Sequence, residues 1–320
     1  MCFGFDGDGA LQRSLEKRGL SRRSLIRGAA AGAAALGVSG ALAAPAAADG
    51  VRSGRGHGGG RRVPADKISI QLYTLRSIMT GAGVDATLAK LAQIGYDRVE
   101  LAGLYGRTAE DIRGVLDGLG IRSNSSHDGL SSSFAALETK FDNSETLGVR
   151  YLNVPYLASS SLADWQAWAD QMNNEAAAAK RRGFRYGYHN HAHEFTTDLG
   201  GGVTPWDVFM RELDPAYVHL EVDLYWAVTG GVNLGMSSDE AIDFAIDVVD
   251  RSPLQVRQYH VKDRNEATGD HVDLGTGFID FAKIFRAHQV EDYIVENDSP
   301  DVTPIQTAEV GYSYLRGLRY

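Results

Sequence analysis

The chain holds one cysteine in 320 residues, Cys2. Its core must therefore stand without disulfides, and thiolate nucleophiles and thiolate metal ligands are excluded from any site. Long greasy runs are missing as well. The one long charge-free stretch, residues 28–48, is mostly alanine and glycine, too weakly apolar to make a good spanning helix. Positive charge is scarce: 32 Lys and Arg stand against 41 Asp and Glu, a net charge of −9. Such a surface repels phosphate backbones, which argues against nucleic acid as a partner.

What is present at the N-terminus reads as an address. Ser21-Arg22-Arg23-Ser24-Leu25-Ile26 is a twin-arginine pattern ahead of the alanine-rich run, which closes on Ala46-Ala47-Ala48. We expect residues 1–48 to be a signal peptide read by the twin-arginine export machinery. Cleavage near Ala48 would leave a chain exported to the cell envelope or the medium. That route carries proteins already folded, which suits a chain without disulfides. Residues 49–65 (DGVRSGRGHGGGRRVPA) have nothing to pack and read as a flexible linker. Removing residues 1–48 takes away six bases and three acids and brings the net charge to about −12.

From residue 66 to 320 short strand-like runs alternate with amphipathic helical ones. The strands fall at 68–75, 98–103, 121–127, 151–157, 185–191, 218–226, 256–263 and 293–298. Between them lie segments such as DATLAKLAQIG and TAEDIRGVLDGLG, closed by glycine as helix C-termini prefer. Eight β-then-α units in about 255 residues predict a single-domain (β/α)8 TIM barrel.

Strand parity sorts the side chains further. In the sixth strand Val218, Leu220 and Val222 form one row, and His219, Glu221 and Asp223 the other. The apolar row must face the helices, so the polar row faces the barrel axis. The polar residues crowd toward the C-terminal mouth, where barrel active sites sit. The inward candidates there are Gln71, Tyr73, Glu100, His127, Asn153, His189, His191, Asp223, His260, Lys262 and Glu296. Asp223, His260 and Glu296, from three neighbouring strand ends, suit one divalent cation such as Mn2+, Co2+, Mg2+ or Zn2+. The fifth strand, with its GYHNHAHEF stretch, should deliver a fourth ligand. His189 has the inward parity, Glu194 lies just beyond, and charge balance leans toward Glu194. Gln71, Tyr73, Glu100, His127, Asn153 and His191 are expected on the substrate side, with Trp226 as an apolar wall of the substrate site. His219 and Glu221 lie deeper and read as structural, and His57, His271 and His288 as solvent-facing.

These residues resemble a known family. ISIQLYTLR, YHNHAHEF, EVDLYW, YHVKD, DLGTGFIDF and IVEND, spread over nearly the whole barrel, are similar to the sugar phosphate isomerase/epimerase group with its xylose isomerase-like fold. The resemblance implies one divalent metal held by Glu, Asp, His and Glu from the fifth to eighth strands. Asp223, His260 and Glu296 match position for position. The first glutamate does not: His189 stands in its place, and Glu194 is displaced downstream. The HNHxxEF variant is similar to branches that include dehydratases and lyases of keto-sugars or keto-inositols. The implied chemistry is proton abstraction beside a carbohydrate carbonyl through an enediolate, ending in isomerisation, epimerisation or elimination. Glu296 or Glu194 would be the base, and His189, His191 and Lys262 the acids or enolate stabilisers.

Two other classes fit the sequence less well. An endonuclease-like hydrolase of a related barrel would need a multi-zinc cluster with further histidines, and the acidic surface opposes it. A non-catalytic sugar-binding module would not need the full ligand set. The sequence carries no signal of an oligomeric state.

Overall fold

The computed structural model describes residues 60–320. The expected signal peptide and residues 49–59 of the expected linker lie outside the described residues. Eight parallel strands make one sheet: β1 (Ile68–Ile70), β2 (Arg98–Leu101), β3 (Arg122–His127), β4 (Tyr151–Val154), β5 (Arg185–His189), β6 (Val218–Asp223), β7 (Gln255–Val261) and β10 (Asp292–Val295). Between β7 and β10, the short strands β8 (Asp263–Arg264) and β9 (His271–Val272) form an antiparallel ribbon. Neighbours in the sheet run from β2 to β7 in chain order, then β10 and β1. A parallel bridge between Gln71 and Glu100 joins β1 to β2 and closes the ring. This is the expected TIM barrel, with helices covering the outside of the sheet.

Local chemistry sets where the helices begin and end. Helix α1 (Gly83–Ile94) follows β1, and α2 (Ala109–Leu119) follows β2. Thr108 caps α2: its hydroxyl accepts from Asp111 N, and the Asp111 carboxylate accepts from Thr108 N in return. At the other end Gly120 takes φ 69°, a left-handed geometry that costs glycine nothing. Helix α3 (Phe134–Leu147) follows β3 and α4 (Leu162–Arg181) follows β4.

Both faces of the strands are covered, so all six residues of β6 are buried. Val218, Leu220 and Val222 join the hydrophobic core under the helices, while His219, Glu221 and Asp223 are buried on the polar row. The barrel interior is thus polar to an unusual depth, with Gln71, Glu100, Ser125, Asn153, Glu221 and Gln258 all fully buried. Gly187 on β5 makes room for it. A Cβ there would collide with the Asn153 amide and the His219 ring.

Of the boundaries that differ from the sequence expectation, three bear on the site and the packed unit. The first strand stops at Ile70, and Leu72–Leu75 is a 3-10 turn capped by Gln71, whose Oε1 accepts from Tyr73 N at 3.0 Å. The sixth stops at Asp223, whose Oδ1 accepts from Trp226 N at 2.8 Å and so starts a helix over Leu224–Asn233. The linker does not reach Ala65. Arg62 bridges antiparallel to Arg319, Tyr320 N donates to Arg61 O at 2.9 Å, and Val63 is buried in the core.

Candidate active site

His189 ends β5, Asp223 ends β6, His260 lies near the end of β7 and Glu296 directly follows β10. One donor atom from each lies within 4.8 Å of the others, and all four side chains are buried. His260 Nδ1 is 2.7 Å from Glu296 Oε2 and 3.9 Å from Asp223 Oδ2. His189 Nε2 is 3.3 Å from Asp223 Oδ2, and its other nitrogen meets Pro155 O at 3.2 Å. Asn190 clamps the strand end, accepting from Asp223 N at 3.0 Å and donating to Asp223 O at 3.3 Å. Two imidazoles and two carboxylates converging from adjacent strands are a donor set that fits a divalent cation.

Lys262 sits on the same carboxylates. Its Nζ is 3.0 Å from Asp223 Oδ2, 2.8 Å from Glu296 Oε2 and 2.9 Å from Asp298 Oδ2. Burial alone would favour neutral lysine, but Asp223, Asp298 and Glu296 outweigh it and hold its pKa well above the usual value. Burial likewise opposes ionisation of Asp223 and Glu296, yet Lys262 chiefly, with the neighbouring histidines, lowers both. His189 is pushed the other way, by burial first and then by His260, so it is held neutral and ready to ligate.

Glu194, the expected fourth ligand and candidate base, is not part of this group. One oxygen accepts from Tyr188 OH at 2.6 Å, and the other from His191 N at 2.9 Å with His193 Nδ1 at 3.4 Å. Tyr188 lies on the outward row of β5, so a carboxylate bound to it is drawn away from the axis. His189 holds the fourth place instead. Burial raises the Glu194 pKa, against the pull of His193 and Tyr188.

Of the expected substrate-side residues, Trp226 and His191 flank the group, with rings 5.2 Å apart and Lys262 Nζ 5.5 Å from the indole. Trp226 Nε1, His191 Nδ1 and Asn297 Nδ2 are buried without a hydrogen-bond partner among the described residues. Tyr73 is half-buried under the Arg76 guanidinium, 4.0 Å from its ring. Glu100, His127, Asn153 and Gln71 lie lower, in a buried polar cluster that reaches the rim group through His260, whose Nε2 is 2.7 Å from Glu100 Oε1. His127 Nε2 is 2.7 Å from Glu221 Oε2 and 3.2 Å from Glu100 Oε1, and Asn153 donates to Glu221 Oε1 at 2.8 Å.

Two residues read as structural or solvent-facing bear on the site. Glu221 belongs to this lower cluster, where burial and then the Glu100 charge push its pKa up to about 8. Parity already faced it inward, so the signal was there. His271 is not solvent-facing: its ring stacks on Tyr225 at 4.2 Å, with Nε2 3.8 Å from Asp298. Only the β8–β9 ribbon brings it back over the mouth, which no local pattern announces.

Comparison with known proteins agrees with the fold. Residues 88–309 match the xylose isomerase-like TIM barrel family, and the chain belongs to it. A solved sugar phosphate isomerase/epimerase from Parabacteroides distasonis is similar at TM-score 0.62 and 22% identity, covering 79% of this chain and 94% of that one. The IolI protein, solved with a bound zinc atom, is similar at TM-score 0.60 and 15% identity, over 79% of this chain and 99% of that one. L-ribulose 3-epimerase follows at TM-score 0.56 and 15% identity, over 78% and 92%. At these identities the likeness is one of fold. No curated protein matches the chain in sequence.

Proposed function

We propose that this chain is a divalent-metal-dependent carbohydrate isomerase or epimerase, moving a proton between carbons of a sugar through an enediolate. The observation that carries the reading is the convergence of His189, Asp223, His260 and Glu296, with Lys262, at the C-terminal mouth of the barrel. These four residues would hold the ion, and a bound divalent cation there supplies Lewis-acid polarisation of a carbonyl and its neighbouring hydroxyl. Glu296 is placed to take the proton, and the Lys262 ammonium to steady negative charge growing on the substrate oxygen. The unpartnered polar atoms of Trp226, His191 and Asn297 suit sugar hydroxyls, and the indole suits an apolar sugar face. The substrate is thus a small carbohydrate, and the fold's many chemistries leave its identity to experiment.

A second reading rests on Glu194. Epimerisation uses acid–base groups on opposite faces of the substrate, and here one of the two expected glutamates is turned onto Tyr188. That asymmetry favours one-face chemistry, either isomerisation or elimination from a 3-keto-glycoside or keto-inositol.

The test is deuterium uptake in D2O across ketoses, aldoses and 3-keto-glycosides with added Mn2+. Exchange at the carbon beside the carbonyl supports the proposal, and the product tells transfer from elimination. His189→Ala should weaken Mn2+ binding at this site by at least tenfold, while Glu194→Gln should leave it unchanged. No exchange with any substrate, or the reverse ranking of the two variants, would sink this site model.

A further inference from the structure

Beneath the His189–Asp223–His260–Glu296 group lies a second cluster with ligand-like spacing. Glu100, His127, Glu221 and His260 each bring one donor atom within 4.8 Å of the others. Glu100 and Glu221 are fully buried. Besides the His127 contacts, His260 Nε2 is 2.7 Å from Glu100 Oε1 and 3.4 Å from Glu221 Oε2. The rings of His127 and His260 stack at 5.1 Å and 11°.

We propose that Glu100, His127 Nε2 and Glu221 form a second divalent-cation site below the first, with the His260 ring as the partition between the two.

Four observations carry it. The first is convergence: carboxylates from β2 and β6 and an imidazole from β3, distant in the chain, bring donor atoms within 4.8 Å of one another. Second, each carboxylate also accepts from a neutral amide: Gln71 Nε2 donates to Glu100 Oε1 at 2.6 Å, and Asn153 Nδ2 to Glu221 Oε1 at 2.8 Å. Metal ligands are commonly oriented by such outer partners. Third, Glu100 Oε2 is buried and has no hydrogen-bond partner among the described residues. Fourth, the sheet register slips beside these carboxylates: Asn124 of β3 is skipped opposite Val99 and Glu100, and Arg257 of β7 is skipped opposite Leu220 and Glu221. Such irregularities re-aim side chains and recur beside functional sites.

The donor set is one imidazole and two carboxylates, which suits Zn2+ or Mn2+ with an open position. The contacts of 2.7 and 3.2 Å between His127 and the two glutamates need to open only slightly for ligand bonds of roughly 2.0–2.2 Å.

The experiment measures Zn2+ and Mn2+ stoichiometry on the purified full chain, by elemental analysis after dialysis and by calorimetric titration. Wild type is expected to bind two ions. Glu221→Gln and His127→Gln should each lose one and keep the other, while Asp223→Asn loses the upper ion. Two variants at separate positions guard against one that fails to fold, and near-ultraviolet circular dichroism checks each. A wild type that binds one ion, lost in Asp223→Asn and kept in Glu221→Gln and His127→Gln, overturns the second site and leaves the proposed function standing. A wild type that binds none removes both.

Discussion

Asp292 sits at the lower end of the barrel with no exposed surface, accepting from Asn124 Nδ2 at 2.8 Å. Burial raises its pKa from 3.8 to about 6, more than Asn124 and Arg98 can offset. The sign follows from linkage: a raised folded-state pKa stabilises the protonated form. That stability is full below pH 3.8 and is lost as pH rises through about 6. Asp292→Asn keeps the acceptor for Asn124 and removes the titration. It should leave stability near wild type at pH 4 and raise it at pH 8 by about 2–3 kcal/mol. Urea unfolding at the two pH values checks this; an equal difference at both would show that the carboxylate is not the cause. The same competition of burial against partners governs the mouth. Lys262 keeps its proton there because Asp223, Asp298 and Glu296 surround it, and His189 stays neutral because burial, and then His260, oppose its protonation.

At the scale of elements, β5 shows how far sequence pattern reaches. Its alternation, Tyr186 and Tyr188 outward against Gly187 and His189 inward, was legible from residues alone and held to the strand's end. Past His189 the alternation lapses, and what a side chain faces depends on which partner wins. Glu194 was captured by Tyr188 OH, a contact invisible to spacing. Gly187 lets the Asn153 amide cross the axis to Glu221 and Gln258. Gly187→Ala should destabilise the protein by about 1–3 kcal/mol through overpacking. Thermal unfolding measures it, and a melting temperature unchanged from wild type would show that Asn153 and His219 can give way.

For the whole molecule, the packed unit begins earlier than composition suggested. Val63 is 1% exposed, and Arg62 bridges to Arg319 beside the C-terminal helix Pro304–Gly317. A chain starting at Gly60 is therefore expected to fold with the stability of the full chain. One starting at Asp66 should lose about 1.5–3 kcal/mol, the burial of one valine side chain. Equal denaturant midpoints for the two truncations would contradict this. Export through the twin-arginine route remains our proposal for residues 1–48, tested by whether fusion to a reporter delivers it across the membrane only with Arg22 and Arg23 intact.

Periodicity by itself determined the number of β-then-α units, the inward row of each strand and the convergence of Asp223, His260 and Glu296, because strand alternation is a local rule that closing a barrel preserves. Only the tertiary structure decided which fifth-strand residue joins them, how Glu100 and Glu221 come to face one another, and that His271 returns over the mouth. Those outcomes depend on register slips, loop paths and competition for hydrogen bonds between residues distant in the chain, and no local pattern encodes them.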